Sequence, residues 1–342
     1  MLSAAFRFRV LRRCITIPGF LAAWLVLSCI APVLVPLCFG ADLIRHNRRA
    51  WTRAYLMLLV YLSCEAAGIA MSGWLRATCR RDRATFLDRN FRLQCWWAST
   101  QFRAGVRLYG IRLEVSGEES VSAGPLILLV RHVSVFDNLL PAVFLSQHHA
   151  IRLRWVLNRS LLRDPCLDIV GNRLPNCFVG GGSTDSEGEI ARVTALGRNL
   201  GALDGVVIYP EGTLFSRSKR ARVIESLRSR GDEAAATRAE AFENVLPPRP
   251  GGALALLDAA PGTDVVICAH SGLDHAATLT RILAGSLIGA TLRIEFQRFA
   301  RESIPVGRVE REQWLFDRWG EVDGWVAKFC APQPLNEEAS FV

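Results

Sequence analysis

Two long apolar stretches lie near the start of the chain. The first, Ile15 to Phe39, contains no charged residue, and the second, Ala54 to Leu75, contains only Glu65. As helices, both are long enough to cross the ~30 Å hydrocarbon core of a bilayer. The first stretch is too long for a secretory signal peptide, and a second apolar stretch follows it. The pattern therefore predicts two N-terminal membrane helices.

Arginine clusters precede, separate and follow these stretches. The clusters are Arg7, Arg9, Arg12 and Arg13; Arg45, Arg48, Arg49 and Arg53; and Arg76, Arg80, Arg81 and Arg83. Two full spans would place the middle cluster outside, against the preference of basic residues for the cytoplasmic face. A hairpin that dips into one leaflet keeps all three clusters on that face, and Pro18, Pro32 and Pro36 favour a bend or break in its first helix. We therefore expect residues 1–83 to form a monotopic hairpin, with two ordinary spans as the alternative.

Short strand patterns alternate with helical patterns in the rest of the chain. The predicted strands are Ile111–Val115, Leu126–Val130, Arg152–Leu157, Val206–Tyr209, Val265–Ala269 and Thr291–Phe296. The predicted helices are residues 84–108, Asn138–Gln147, Glu187–Leu203, Val223–Phe242, Gly252–Asp258 and an amphipathic helix from Trp314 to Phe329. This alternation is typical of an α/β fold with a largely parallel, mixed sheet flanked by helices. We assign residues 84–332 to this domain, on the cytoplasmic face, and residues 333–342 to a loose tail.

Composition narrows the class of partner. Half of the 342 residues are hydrophobic, and the formal net charge is +9. A basic surplus suits nucleic acid, anionic lipid or small anionic substrates. The basic residues flank the apolar stretches and form no single run with interleaved aromatic residues, so lipid headgroups are favoured over nucleic acid. The ten cysteines include no Cys-x2-Cys pair, which argues against a structural zinc site and for reduced thiols.

A histidine follows a strand pattern that has no polar residue. The run Pro125–Asp137, PLILLVRHVSVFD, places His132 just after the strand Leu126–Val130 and Asp137 at the start of the next helix. Ligand sites of α/β sheets lie at such carboxyl-terminal strand edges. A five-residue separation on a continuous helix would point the two side chains apart, but a turn can bring the carboxylate back to the imidazole. The pair would then be a general base and the group that orients it.

A second apolar strand pattern ends in a glycine-containing turn that basic residues follow. The run Gly205–Arg220 is GVVIYPEGTLFSRSKR. The amides of the turn and its polar and basic side chains suit a phosphate. These side chains belong to Thr213, Ser216, Arg217, Lys219, Arg220 and Arg222, and for Arg222 we favour a solvated helix face. Glu211 would repel a phosphate at contact range, so we expect it to bond a hydroxyl or to position an arginine.

The two motifs resemble those of the glycerolipid acyltransferase family, which includes the 1-acylglycerol-3-phosphate acyltransferases. The family's His-x4-Asp signature, often Asn-His-x-Ser-x-x-Asp, is matched by His132, Ser134 and Asp137. Its Phe/Tyr-Pro-Glu-Gly-Thr signature is matched by Tyr209–Thr213. The segment Lys219–Arg249 is similar to the branch that contains lysophosphatidate and lysocardiolipin acyltransferases, and the two-helix N-terminal hairpin also fits the family.

The resemblance implies roles and substrates. His132 would be the general base and Asp137 its partner, and the implied substrates are an acyl-CoA or acyl carrier protein donor and a lysophospholipid acceptor. No metal or bound cofactor is implied. With the residues of the basic run, the predicted substrate-binding set is Ser134, Arg131, Glu211, Gly212, Thr213, Arg217, Lys219 and Arg220.

Two positions depart from the family's pattern. Arg131 replaces the usual asparagine before the histidine. The family's second block, which Gly171–Phe178 matches best, ends in an arginine that resembles a phosphate ligand, and Gly181 stands at that position. Arg173, Arg131 and Lys219 are the candidate substitutes, and the acceptor's headgroup stays open.

The sequence thus predicts a membrane-bound acyltransferase that converts 1-acylglycerol 3-phosphate to phosphatidic acid. One alternative is the same chemistry on another lysophospholipid, such as a lysocardiolipin-like acceptor, and another is a non-catalytic lipid-binding protein. A third is a metal-dependent lipid hydrolase that uses His132, His270 and Asp274, but the sequence shows no further carboxylate-rich set to complete a metal site.

Overall fold

A seven-stranded sheet lies at the centre of the described chain, which comprises residues 4–79, 81–180 and 186–329 of a computed structural model. The strands are β1 (Arg112–Ser116), β2 (Leu126–Val130), β3 (Arg152–Asn158), β4 (Cys177–Val179), β5 (Asp204–Ile208), β6 (Asp264–Ser271) and β7 (Thr291–Phe299). Their order is β1-β7-β6-β2-β5-β3-β4, and every neighbouring pair is parallel except β6 and β7. The predicted largely parallel, mixed sheet is confirmed.

Strand β2 occupies a central place between β5 and β6. All five of its residues are buried, as its uninterrupted apolar sequence predicts for a strand covered on both faces. Because β2, β5 and β6 are mutually parallel, their carboxyl ends meet at one edge of the sheet. The turns that follow these three strands are therefore neighbours, although they are distant in sequence.

Helices cover both faces of the sheet. Their bounds are α1 (Ala4–Ile44), α2 (Ala50–Cys79), α3 (Arg83–Tyr109), α4 (Leu139–Pro141), α5 (Pro165–Gly171), α6 (Ser186–Leu196), α7 (Arg217–Arg228), α8 (Glu233–Glu240), α9 (Pro250–Ala259), α10 (Leu279–Leu283) and α11 (Arg308–Ala327). Alternate residues of β2 point to opposite faces. Leu128 packs in the cluster that includes Ala98 of α3, and Ile127 packs in the cluster that includes Leu256 of α9 and Trp319 of α11.

Two predicted helices were too long. The helix predicted over Glu187–Leu203 ends at Leu196, and Asn199 just beyond it adopts a left-handed conformation with φ of 52°. The helix predicted over Val223–Phe242 is two helices, α7 and α8, because Gly231 takes a φ of 77° between them. Residues in the left-handed conformation commonly end helices. A single residue of this kind changes the apolar pattern little, so the pattern did not predict these two helix ends.

The remaining elements agree with prediction more closely. The six predicted strands are present, each within three residues of its expected bounds, and the three-residue β4 was not predicted. The helix expected over Asn138–Gln147 starts earlier, at Val135, and passes through α4 into a π-helical turn over Ala142–Gln147. Helix α11 is the predicted terminal amphipathic helix, and it buries its apolar face in the core. The tail predicted at 333–342 lies outside the described residues.

The two N-terminal helices pack against each other as a hairpin. Both are long and apolar enough to cross a membrane. The prolines do not break the first helix, since α1 runs as one helix through Pro18, Pro32 and Pro36. Each proline removes one backbone hydrogen bond, and the remaining ladder carries the helix past it. Many apolar side chains of α1 are exposed, among them Leu25, Val26, Ile30, Val33 and Leu37.

The hairpin is also attached to the rest of the chain along its length. In the middle of α2, Glu65 is buried, and its carboxylate accepts hydrogen bonds from Nε1 of Trp97 in α3 (2.7 Å) and from the amide of Cys166 in α5 (2.9 Å). The acidic residue of the second apolar stretch is therefore hydrogen-bonded to the α/β part of the chain.

Both ends of the hairpin carry further polar contacts. At the start of α1, Arg12 and Arg13 both bind the buried carboxylate of Asp168 in α5, at 2.6 and 2.8 Å. At the connecting turn, Nδ2 of Asn47 donates to the carbonyl oxygen of Leu283 in α10 (3.0 Å). Both ends of the hairpin, like its middle, thus contact the α/β part of the chain.

Candidate active site

His132 lies directly beyond β2, in the turn that leads to the helical segment Val135–Asn138. Its backbone is held from both sides. Its amide donates to Oε1 of Glu211 (2.7 Å), and its carbonyl oxygen accepts from the amide of Phe215 (2.7 Å). Both partners belong to the turn after β5, so the neighbouring strand fixes the backbone that carries the imidazole.

The carboxylate of Asp137 folds back onto this turn. Its Oδ2 accepts hydrogen bonds from the amides of Val133 (2.6 Å) and Ser134 (2.8 Å) and lies 3.2 Å from Nδ1 of His132. Ser134 caps the helical segment by accepting from the amide of Phe136, and its side chain is buried. This reciprocal capping arrangement is what brings the carboxylate to the imidazole, as the turn in the sequence predicted.

The contact with Asp137 sets the protonation of the His132 ring. Because a carboxylate oxygen can only accept, Nδ1 carries the proton and Nε2 keeps its lone pair. The ring packs against the ring of Tyr209, with centroids 4.2 Å apart, and the Tyr209 hydroxyl donates to Oδ1 of Asn138 (2.8 Å). The His132 side chain is 17% exposed, so it is held in place and yet reachable. A neutral imidazole in this arrangement can accept a proton at Nε2.

Glu211 is a buried link between loops. Its Oε1 accepts from the amide of His132 and its Oε2 from the amide of Leu246 (2.9 Å). Burial raises the pKa of Glu211 to about 8, against the opposing effects of these amides and of the nearby charge of Arg131. The structure corrects the expectation that Glu211 bonds a hydroxyl or positions an arginine, because both oxygens are hydrogen-bonded to backbone amides.

Arg131 is buried beneath the turn. Its guanidinium donates to both carboxylate oxygens of Asp274 (2.7 and 3.2 Å) and to the carbonyl oxygens of His270 (2.8 Å) and Asn244 (3.0 Å). Burial raises the pKa of Asp274, but the charge and hydrogen bonds of Arg131 outweigh that effect and hold the pKa at about 2. Arg131 therefore joins three loops under His132, and its charge is already paired with a carboxylate.

His270 lies in the protein interior, next to Asp137 and the backbone of Arg131. It is fully buried, its Nε2 lies 2.9 Å from the carbonyl oxygen of Arg131, and the same nitrogen lies 3.6 Å from Oδ1 of Asp137. Because a carbonyl only accepts, Nε2 carries the proton, and burial lowers the pKa of the ring, which favours the neutral form. Asp274 is paired with Arg131, and the described residues contain no cluster of three side chains suited to hold a metal.

Some side chains of the basic run after β5 are exposed, and others are hydrogen-bonded within the protein. Gly212 turns the chain with a φ of 68°, and Lys219 donates to Oγ1 of Thr213 (3.1 Å) and to a backbone carbonyl. The guanidinium of Arg220 donates to backbone carbonyl oxygens of the loop after α8, whereas Arg217 is exposed in the first turn of α7. Of the predicted phosphate ligands in this run, Arg217 and Arg222 are exposed on α7. Thr213, Ser216 and Lys219 are half-buried, and Ser216 caps α7.

Part of the chain that contains this site is similar to known acyltransferases. A family model described as Acyltransferase matches residues 112–271, which run from β1 to the end of β6 and include both motifs. The chain is 26% identical over 142 residues to lysocardiolipin acyltransferase 1 of Danio rerio. Residues 112–271 thus match an acyltransferase family, in agreement with the resemblance of the two motifs.

The relatives overlap with this chain to different extents. The match to the Danio rerio protein covers 40% of this chain and 34% of that relative, so the chain spans about a third of its length. A solved structure, the 1-acyl-sn-glycerophosphate (LPA) acyltransferase PlsC from Thermotoga maritima, aligns with 82% of this chain and 99% of its own at a TM-score of 0.49 and 14% identity.

The segment that matches the family's second motif, Gly171–Phe178, is not followed by the expected phosphate-binding arginine. Gly181, where the family's arginine is expected, lies outside the described residues. Arg173 donates from Nη1 to the carbonyl oxygen of Ser72 (2.9 Å) and to Oδ1 of Asn90 (3.0 Å), so it faces α2 and α3. With Arg131 buried and Arg173 directed to α2 and α3, Lys219 is the candidate substitute whose side chain reaches the turn after β5, where its Nζ donates to Oγ1 of Thr213.

Sequence reasoning missed the supporting roles of several residues. His270 was interpreted either as a residue that approaches the site from the same sheet edge or as a metal ligand, and Asp274 as a metal ligand or a helix cap. The structure places His270 beside Asp137 and pairs Asp274 with Arg131. The available signal was their position after β6, an apolar strand pattern like β2. Only the strand order, which puts β6 beside β2, reveals that the two turns meet.

Proposed function

We propose that this acyltransferase moves a fatty acyl group from acyl-CoA or acyl carrier protein to the free hydroxyl of a lysophospholipid, with 1-acylglycerol 3-phosphate as the acceptor and phosphatidic acid as the product. The observation that carries the proposal is the contact between His132 Nδ1 and the buried Asp137 carboxylate at the carboxyl edge of the sheet. A base without a neighbouring side-chain nucleophile suits direct attack by the substrate's own hydroxyl.

The reaction follows from the protonation of the His132 ring. Nε2 takes the proton of the acceptor hydroxyl as the hydroxyl oxygen forms a bond to the thioester carbonyl carbon. The imidazolium that forms is stabilised by Asp137, whose carboxylate stays ionised. The carbon–sulfur bond then breaks, and the departing thiolate regains the proton from the imidazolium. An ester, a free thiol and neutral His132 result, so base and acid roles alternate on one nitrogen.

The turn after β5 would hold the acceptor's phosphate. Thr213 supplies a hydroxyl from this turn, and Arg217 and Lys219 supply two cations from the first turn of α7. The backbone between them is tied to His132 through the amide of Phe215. Burial and the charge of Arg222 lower the pKa of Lys219, as expected for a cation that has no carboxylate partner in its immediate contacts. A phosphate bound to this turn would place the acceptor near the imidazole.

A lysocardiolipin-like acceptor is the second candidate. The relative from Danio rerio carries that name, and the similarity of Lys219–Arg249 to the same branch points in the same direction. The shared chemistry is a phosphate-bearing lysophospholipid, and the two candidates differ in the size of the headgroup that the turn after β5 must admit.

The site would act at the cytoplasmic surface of a membrane. The two apolar helices provide the membrane association, and their contacts through Glu65 and Asp168 hold the α/β part of the chain against it. Both substrates are lipids or lipid-derived, so a surface location shortens their path to His132.

An acceptor panel tests the proposed reaction. Purified full-length protein is incubated with a labelled donor, either acyl-CoA or acyl-loaded acyl carrier protein, together with one acceptor at a time. The acceptors are 1-acylglycerol 3-phosphate, lysophosphatidylglycerol, lysophosphatidylcholine and lysocardiolipin, and products are identified by mass. We expect phosphatidic acid as the main product. Preferential acylation of lysocardiolipin would support the second candidate, and no acylated product with any acceptor from either donor carrier would contradict both.

A further inference from the structure

A second basic site lies at the far end of the hairpin from the connecting turn. A cavity of about 490 Å³ opens between the start of α1, the end of α2 and α5. Its lining residues are Arg9, Val10, Arg13, Arg76, Ile169, Asn172 and Arg173. None of them belongs to the histidine motif or to the turn after β5, so this cavity is separate from the candidate active site.

The cavity concentrates positive charge. Four of its seven lining residues are arginines. Asp168 is the carboxylate at this end of α1, and Arg12 and Arg13 already share it. Arg9 and Arg76 are exposed and add two further cations beside it. Like charges held this close repel one another, and an anion bound between them would remove that repulsion.

Arg173 forms the fixed wall of the cavity. It is half-buried, and hydrogen bonds to Ser72 and Asn90 hold its guanidinium in place. Burial lowers the pKa of Arg173 to about 10, and the charges of Arg76 and Arg13 add to this effect. The guanidinium is therefore preorganised beside other cations, which is the arrangement that favours binding of a phosphate.

Apolar surface surrounds the same end of the hairpin. The exposed side chains there are Phe8, Val10, Leu11, Ile15, Met71 and Trp74. Basic residues next to exposed apolar and aromatic side chains are typical of the level where lipid headgroups meet hydrocarbon. A soluble anion would use the arginines alone, whereas a phospholipid would use both surfaces.

We propose that this cavity binds the phosphate of an anionic membrane phospholipid, whose acyl chains lie along the apolar face of α1 and α2. The bound lipid is neither substrate nor product. It fastens the open end of the hairpin to the membrane surface, next to the ion pairs that join α1 to α5.

The test compares two paired substitutions on the same hairpin. Arg9→Gln with Arg76→Gln removes two exposed cations from the cavity. The matched control, Arg45→Gln with Arg49→Gln, removes the same charge at the connecting turn, where these side chains lie over the rings of Trp51 and Phe39. Full-length protein in neutral detergent is titrated with phosphatidylglycerol, and the bound lipid is counted by native mass spectrometry.

Wild type and the control pair are expected to bind phosphatidylglycerol saturably, and the cavity pair roughly 30-fold more weakly, since each arginine near a lipid headgroup contributes about a factor of five. Equal binding by the cavity pair, or an equal loss in the control pair, would overturn the proposal. Arg76→Gln alone provides a milder variant, and unchanged thermal unfolding without lipid establishes that each variant is folded.

Two further probes separate the possible sources of phosphate. Phosphatidylcholine should bind much more weakly than phosphatidylglycerol, because its headgroup has no net charge. Inorganic phosphate should compete with phosphatidylglycerol only at a large excess, because it lacks the acyl chains. If inorganic phosphate alone competed at equal concentration, the cavity would be a site for free phosphate, and the lipid assignment would be wrong.

Discussion

Asp137 serves His132 and the start of the following helix through one carboxylate oxygen. Oδ2 lies within hydrogen-bonding distance of two amides and of Nδ1 of the imidazole. Because this oxygen accepts from the imidazole as well as from the two amides, the contact favours the tautomer with the proton on Nδ1. The same contact thus shapes the turn and prepares Nε2 for proton transfer.

Replacement of Asp137 by asparagine should therefore affect both activity and stability. An amide at this position favours the wrong tautomer, and loss of such an orienting carboxylate lowers turnover by roughly 10⁴-fold in comparable arrangements. Weaker bonds to the two buried amides should also cost about 1–3 kcal/mol of stability. Acyl-transfer rates and thermal unfolding measure the two effects. Asp88→Asn, at an exposed ion pair, is the control. Wild-type turnover in Asp137→Asn would show that the carboxylate does not orient the base.

Glu211 makes the stability of the protein depend on pH. The pKa of its carboxyl is raised from 4.5 to about 8 in the folded protein, so between these values the folded state binds more protons than the unfolded state. The free energy of unfolding therefore falls as the pH rises through this window. Above pH 8, the stabilisation that the protonated Glu211 carboxyl provides in the folded state is lost. The sign is opposite to that of a salt-bridged carboxylate, whose pKa is lowered.

The matching prediction compares wild type with Glu211→Gln between pH 5 and pH 9. The glutamine cannot ionise, so wild type should lose stability relative to the variant as the pH rises. The variant should start less stable at pH 5, because its NH₂ group cannot accept from the amide of Leu246. Denaturation at a series of pH values measures the difference, and a difference that stays constant would contradict a raised pKa.

At the scale of elements, the sequence predicts those features that residues close together in the chain determine, and it misses those that depend on distant segments. Strand β2 and the turn from His132 to Asp137 were predictable because an apolar run and a capped helix start are properties of neighbouring residues. The partners of Glu211 and Arg131 were not, because they come from turns after β5 and β6 that meet only through the strand order. Short β4 and the break at Gly231 were missed, since three residues or a single glycine barely change the apolar pattern.

Helix α2 shows the same dependence on distant contacts. As a lone membrane helix it would be stabilised by removal of Glu65, since a charge in hydrocarbon is unfavourable. In the structure, the Glu65 carboxylate accepts from Trp97 and from the Cys166 amide, and its removal would leave both buried donors without a partner.

Glu65→Leu should therefore destabilise the folded protein by about 1–3 kcal/mol. Glu65→Gln should cost less, because its amide oxygen still accepts one of the two hydrogen bonds. Thermal unfolding in neutral detergent measures both, with Leu58→Ala at an exposed position of α2 as the control. A rise in the unfolding temperature of Glu65→Leu would indicate that α2 does not pack on α3 and α5 as described.

For the whole molecule, the contacts of the hairpin bear on its topology. Arg12 and Arg13 at one end and Asn47 at the other bind elements of the α/β part of the chain. A pair of full spans would separate the connecting turn from that part by the thickness of the bilayer, about 30 Å of hydrocarbon. We therefore expect the connecting turn and the His132 site on the same side of the membrane.

A protease site inserted between Arg45 and His46 tests this topology in sealed vesicles. Cleavage should occur only in vesicles whose outer face carries the α/β part of the chain, and the same vesicles should show acyl transfer to added substrate. A second insertion after Gly231, in the exposed turn between α7 and α8, marks that face independently. Cleavage of the two sites from opposite faces would contradict the monotopic hairpin.

The central claim is that Nε2 of His132 removes the proton from the acceptor hydroxyl. The most direct measurement is the amount of acylated product that His132→Ala forms from labelled acyl-CoA and 1-acylglycerol 3-phosphate, with His275→Ala treated in parallel. We predict that His132→Ala keeps its fold by thermal unfolding and forms no product above the uncatalysed rate, while His275→Ala stays near wild type. Product formation by folded His132→Ala at the wild-type rate would contradict the claim.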